Sequence, residues 1–299
     1  MPAVELSNER IGLKAASLAA LSTFLWGGNS VFIKLGLEDV PPVAMAGARF
    51  LVGALVIVVA LRVSGVSARV PRSQWKGLCG LLVIFVAQIL LLNYGTDYTT
   101  AGRSTVLMNS YPLFTAVFAH LFVRGDALTP STVLGLTLAF GGVVLLFFDD
   151  LSFHIGAATV FGDLLVLGSA VLLGVRTIIL KRLVHDLHPY QVLFWQATLS
   201  LPVFIALSLV LEREARFALT PNAVVAVLYQ GLVVAGVCFI LWTFLLQRHS
   251  ASRVGVFGFI TPLSGVLLSN LILGEKLSWE IVASVALVAT GAVVVNRRV

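Results

Sequence analysis

The sequence predicts an all-α membrane protein of ten transmembrane helices, arranged as two inverted five-helix repeats with both termini in the cytoplasm. Composition points to the membrane. Of 299 residues 59% are apolar and 11% charged, against roughly 25% charged in a soluble domain, so the chain lacks the residues for a polar shell. Length points to helices: apolar stretches reach the ~20 residues that cross a hydrocarbon core about 30 Å thick. Within that core a span satisfies its own backbone as a helix, and the alternation of a barrel is absent. An internal echo points to the repeat. Gly27, Lys34, Asp39 and Pro42 return as Gly174, Lys181, Asp186 and Pro189, each 147 positions later. Ala101, Arg103, Val106 and Pro112 return as Ala251, Arg253, Val256 and Pro262. With a one-residue slip, Gly125-Asp126, Leu128-Thr129 and Gly142 return as Gly274-Glu275, Leu277-Ser278 and Gly291. The two units are 1–150 and 151–299.

The spans fall near 13–35, 42–62, 76–96, 101–123, 131–148, 160–182, 189–211, 221–246, 252–273 and 279–296. Their connections are short and often closed by proline, as at Pro41-Pro42, Thr129-Pro130, His188-Pro189 and Thr220-Pro221. The first span is too long for a signal peptide and begins the repeated block, so it is read as a helix. The second is apolar all round from Leu51 to Leu61. Arg49 lies about seven residues into it, near 10 Å deep at 1.5 Å per residue, where snorkelling to the rim is the default. The third carries Gln88, Leu91, Leu92 and Gly95, with Tyr94 near its outer end. The fourth has a more polar stripe at helical spacing: Thr105, Met108, Asn109, Pro112 and Thr115. Pro112 frees the carbonyl of Met108 and predicts a kink.

In the fifth span, Gly135, Ala139 and Gly142 suit close helix contact or a dimer surface, as do Ala283 and Gly291 in the tenth. The sixth contains Arg176, opposite Asn29 of the first repeat. A buried arginine costs at least ~2.5 kcal/mol unless it finds water or a partner. Three readings stand for it: binding a substrate carboxylate, snorkelling, or pairing structurally. The eighth span offers Gln230, Cys238 and Trp242, and the ninth Phe257, Thr261, Pro262 and Gly265. Pro112 and Pro262 are related by the repeat, which suggests hinges; close packing is the plainer reading. The two glutamines turn inward, toward a cavity or a neighbouring helix. Trp26, Trp195 and Trp242 are aromatic-belt, packing or cavity residues, and the belt suits Trp26 and Trp242 least because they lie well inside their spans.

Charge sets the orientation. With a cytoplasmic N-terminus, thirteen Lys and Arg fall inside: Arg10, Lys14, Arg62, Arg69, Arg72, Lys76, Arg124, Lys181, Arg182, Arg248, Arg253, Arg297 and Arg298. Five fall outside: Lys34, Arg103, Arg213, Arg216 and Lys276. This satisfies the positive-inside rule, and the net charge of +6 needs no nucleic-acid partner. Five spans per copy are an odd number, so the second copy enters from the opposite face. An inverted repeat places a binding site near the midplane between the halves.

The stretch Trp26-Gly27-Gly28-Asn29-Ser30 through Lys34-Leu35-Gly36, then Pro41-Pro42 and Arg49-Phe50, resembles the first two helices of an EamA domain. Thr99-Thr100-Ala101-Gly102, Tyr111-Pro112, Gly125 to Thr129 and Gly141-Gly142 continue the likeness. Thr261-Pro262 and Leu273 to Ser278 repeat it in the second copy. The EamA domain is the five-helix repeat of the drug/metabolite transporter superfamily, and within it the chain resembles the aromatic amino-acid exporters of Gram-negative bacteria. The resemblance implies a multi-pass exporter of the bacterial inner membrane. It implies a central cavity lined by helices three, four, eight and nine with one and six, and helices five and ten as scaffold.

The cavity candidates are Trp26, Asn29, Gln88, Tyr94, Met108, Asn109, Tyr111, Arg176, Gln230, Trp242 and Phe257, with Pro112 and Pro262 as hinges. No phosphate-binding loop, zinc-protease or hydrolase motif occurs, so no enzyme activity, metal or cofactor is expected. Cys79 and Cys238 make no disulfide framework. Asp97, Asp126, Asp163, Glu275 and Glu280 all lie near span ends, leaving no deep carboxylate. A cationic drug therefore finds no counter-ion, whereas neutral or zwitterionic solutes need amides, aromatics and an arginine. The expected solute is an amino acid, aromatic or otherwise neutral, or a related metabolite. A multidrug exporter of the same fold and a non-transporting scaffold or sensor are the alternatives, and monomer and homodimer both stay open.

Overall fold

The computed structural model describes residues 4–5, 9–146, 156–215, 217–265 and 279–296. The chain is helical almost throughout. Leu13–Trp26 (α1) and Asn29–Leu37 (α2) are followed by Pro42–Val63 (α3) and Trp75–Tyr98 (α4). Ala101–Met108 (α5), Tyr111–Phe122 (α6) and Pro130–Leu146 (α7) complete the first half. The second half runs Ala157–Asp186 (α8), Pro189–Leu211 (α9) and Pro221–Leu228 (α10). A ten-residue π-helix, Tyr229–Cys238, leads into Phe239–Arg248 (α11). Ala251–Gly255 (α12), a 3₁₀ turn at Val256–Phe259, residues 260–265 (α13) and Trp279–Asn296 (α14) end it. Val4–Glu5 (β1) pairs in parallel with Val123–Arg124 (β2).

Seven helical stretches among the described residues are long and apolar enough to cross a membrane. Two further expected spans, α7 and α14, are shorter apolar helices. The ninth is described only to residue 265, so 266–273 and the Leu273–Ser278 motif lie outside the described residues, as do Arg216, Lys276, Arg297 and Arg298.

The repeated positions hold equivalent jobs. Lys34 Nζ donates to the carbonyls of Thr96, Asp97 and Thr99 at the end of α4, at 3.0–3.1 Å. Its echo Lys181 donates to the carbonyls of Leu246 (3.1 Å) and His249 (2.6 Å) at the end of α11. Each lysine thus satisfies orphan carbonyls at a helix C-terminus, where a cation also suits the helix dipole. Asp39 accepts from Thr220, the N-cap of α10. Its echo Asp186 accepts from Gln74, the N-cap of α4, at 2.9 Å. Pro42 and Pro189 both open helices, where the missing N–H costs nothing. Gly27 and Gly174 are both contact points. A Cβ on Gly27 would meet Ser264 Oγ at 2.0 Å and the Thr261 carbonyl at 2.9 Å. One on Gly174 would meet Phe114 and the Thr115 backbone at 3.0–3.1 Å.

Other caps fix the helix pairs. Glu212, just past α9, accepts from the N–H groups of Val43 (2.7 Å) and Ala44 (2.9 Å), locking α9 against the start of α3. Arg103 and Thr99 both bond Asp163, tying α5 and the end of α4 to α8. Asp126 accepts from Ser250 Oγ (2.6 Å) and Ser252 N (3.3 Å) at the start of α12. α7 packs on α14. There a Cβ on Gly135 would come within 2.7 Å of the Gly291 carbonyl, and one on Gly142 within 3.0 Å of the Ser284 carbonyl. The small residues of helix five therefore serve a contact inside the chain. Helix four is broken at Asn109-Ser110, between α5 and α6, with Pro112 in the first turn of the second piece. Helix nine is interrupted by its 3₁₀ turn, three residues before Pro262.

Candidate functional site

The irregular helices converge on one cavity of about 100 Å³. Two glycines let its walls close. A Cβ on Gly53 would meet Ala235 Cβ at 2.7 Å, and one on Gly231 would meet the Arg49 carbonyl at 2.9 Å. So α3 lies directly on the π-helix, and a π-helix in mid-span re-aims side chains that an α-helix would send elsewhere.

Two arginines dominate the walls. Arg49 is 3% exposed and Arg176 6%, both inside the lining. Arg49 Nη1 donates to Gln230 Oε1 at 2.9 Å, and Gln230 Nε2 donates to the Asn29 carbonyl at 2.7 Å. The snorkelling expected of Arg49 is overturned: its side chain turns to α10's continuation, held by an amide 181 positions away. Arg176 reaches Gln88 Oε1 at 3.5 Å and Gln196 Oε1 at 3.4 Å, both long for such bonds. It does not snorkel. Gln88 is fixed in turn by Ser169: Gln88 Nε2 donates to Ser169 Oγ at 3.0 Å, and that hydroxyl donates to the Gln88 carbonyl at 2.9 Å. The Nε of each arginine is buried without a partner, and so is Asn29 Oδ1.

Aromatic rings carry the cations. Arg49 lies 4.7 Å from the Phe50 ring centre; Arg176 lies 4.5 Å from Phe85 and 4.8 Å from Phe239. These three rings pack on one another, Phe50 with Phe85 at 4.8 Å. Trp26 meets Trp242 edge-on at 5.7 Å and Phe239 at the same distance.

Nine of the eleven cavity candidates line this space: Trp26, Asn29, Gln88, Met108, Asn109, Tyr111, Arg176, Gln230 and Trp242. Tyr94 and Phe257 do not. Tyr94 is half-buried against the Phe50–Phe85 cluster, and Phe257 sits in the core with Trp242. Both stand on the expected helices but on the wrong face. Pro112 lies behind the wall, 3.7 Å from a Cβ placed on Gly255. Arg49 and Phe50 add helix two to the lining. Gln196 and Ser169 support Arg176 and Gln88 from behind, and a lone amide and hydroxyl in apolar spans were their only signal. Cys238 is buried and free, bonded to the Ser22 carbonyl. No group of residues able to hold a metal occurs among the described residues.

A bundle of membrane helices closing on one polar and aromatic cavity is the architecture of a small-solute carrier. Residues 13–148 and 160–297 each match the EamA-like transporter family, and the chain belongs to that family. It is 23% identical over 270 residues to the "Uncharacterized transporter YoaV" of Bacillus subtilis, covering 90% of this chain and 92% of the relative. It is 26% identical over 289 residues to a "Probable amino-acid metabolite efflux pump" of Escherichia coli, covering 93% of each. A crystal structure shares the fold with a TM-score of 0.80, at 20% identity, over 94% of this chain and 98% of that one.

Proposed function

We propose that the chain is an alternating-access exporter of amino acids, aromatic and other neutral ones included, and related metabolites across the bacterial inner membrane. Ten helices in two inverted sets of five, at 1–150 and 151–299 with both termini cytoplasmic, rock about the cavity. Trp26, Asn29, Gln88, Met108, Asn109, Tyr111, Gln230 and Trp242 bind the solute. Pro112 and Pro262 are the hinges. The carrying observation is Arg176: a buried guanidinium facing the cavity with long bonds to neutral amides, ready to exchange them for a substrate carboxylate. A carboxylate pairs with guanidinium bidentately and more strongly than an amide does. The name of the Escherichia coli relative supports the solute class. Among the described residues the cavity lining holds no carboxylate, which disfavours cationic drugs.

The test is a flux panel in proteoliposomes, with and without a pH gradient. Labelled amino acids should exchange across the membrane. Failure across neutral, aromatic and hydroxy side chains, with cationic dyes carried instead, would favour the multidrug reading.

A further inference from the structure

We infer that the cavity prefers a solute with two carboxylates, an acidic amino acid or plain dicarboxylate, one group held by Arg49 and the other by Arg176. This rests on the transport reading above and narrows its solute. The first ground is uncompensated charge. Both guanidiniums are nearly fully buried in one cavity, and no carboxylate among the described residues bonds either. Three of the chain's acids are committed elsewhere: Asp163 to Arg103, Glu212 to the start of α3, Asp126 to Ser250. Arg103, by contrast, has its acid in Asp163. In the cavity the chain supplies only amides, which satisfy single N–H groups and leave the charge in place. Two like charges buried in one cavity raise each other's cost, and a dianion removes both costs at once.

The second ground is geometry. The two arginines come from different helices, hold different glutamines and rest on different rings. Each keeps an unpartnered Nε. The two guanidiniums thus reach the cavity from different helices, each with an N–H left over for an anion. The third ground concerns the ammonium of a neutral amino acid. Aromatic faces are the usual neutral seat for a cation: Phe50, Phe85 and Phe239 carry guanidiniums, while Trp26, Tyr111 and Trp242 also face the cavity. The buried, unpartnered Asn29 Oδ1 accepts an ammonium, yet a neutral zwitterion still leaves one guanidinium uncompensated.

The full-length protein in liposomes is loaded with glutamate, glutarate, phenylalanine, hexanoate or inorganic phosphate at equal concentration. Glutamate and glutarate should be carried at least tenfold faster than phenylalanine and hexanoate, and should raise the melting temperature in detergent where hexanoate does not. Arg49→Gln and Arg176→Gln should each raise the glutarate KM at least tenfold. Arg49→Lys, which keeps the charge, should lose less, and its melting curve shows that the fold survives. Phenylalanine carried ahead of both dicarboxylates overturns this inference and leaves the amino-acid reading standing. Phosphate carried in preference to glutarate overturns the two-point geometry. No flux of any solute, with no thermal shift, overturns both readings.

Discussion

At the scale of single residues, several polar side chains within the spans are held by specific partners. Gln230 is the clearest instance, because its carbonyl holds Arg49 and its amide holds the Asn29 carbonyl across the break in the first helix. Leucine there would strand a buried guanidinium N–H and a backbone carbonyl. A bond to a charged group is worth about 1.5–3 kcal/mol, so Gln230→Leu should lower stability by roughly that much. Thermal melting in detergent checks it; an unchanged melting temperature would mean that water replaces the amide.

At the scale of elements, tight contacts and helix ends carry the argument. α7 and α14 touch through Gly135 and Gly291 with no room for a side chain. Gly135→Leu should cost about 1–3 kcal/mol by overpacking. Gly141, whose Cβ direction is open, should tolerate alanine or gain about 0.5–1 kcal/mol; melting of both variants separates contact from propensity. In helix four, Pro112→Ala restores a donor for the Met108 carbonyl and should slow turnover with little change in solute KM. A flux assay showing unaltered turnover removes the hinge role. The start of α9 depends on a neutral imidazole: His188 Nδ1 accepts from Tyr190 N–H at 3.3 Å, within a capping box completed by Gln191. Burial lowers the His188 pKa below its ordinary 6.5. The folded state thus binds its proton less readily than the unfolded one, and this contribution is full above about 6.5 and lost as pH falls below it. Wild type should lose more stability than His188→Asn on going from pH 7.5 to 5; parallel melting curves would exclude the cap as the sensor.

At the scale of the whole molecule, the proposed inverted arrangement assigns each loop to one side of the membrane. With Cys79 and Cys238 replaced by serine, Arg69→Cys and Arg213→Cys place single thiols at exposed positions. A membrane-impermeant thiol reagent should label Arg213→Cys in intact cells, and Arg69→Cys only after the membrane is opened. The reverse pattern, or labelling of both, would refute the orientation.

Much of this was legible because duplication wrote it twice. Lys34 and Lys181, or Asp39 and Asp186, recur because two helix ends in each half need the same donor or acceptor, and a shared offset reveals such demands without a structure. The positions where the copies disagree were informative too. Asn29 and Arg176 both reach the cavity, as does Arg49, whose repeat mate Gln196 bonds Arg176. Arg49 was misread because depth from a helix end says nothing about direction. Tyr94 and Phe257 were misplaced because a span that is apolar all round has no periodic signal to say which face looks inward.

The sequence by itself determined the membrane, the helical character and the repeat, since composition, length and spacing are properties of the chain taken in order. Only the tertiary structure decided that two arginines from α3 and α8 share one cavity, each on its own ring and amide. Gln230 is 181 positions from Arg49, and Gln88 is 88 from Arg176. Contacts at such separations arise from how glycine-thinned helices cross, which no local pattern encodes.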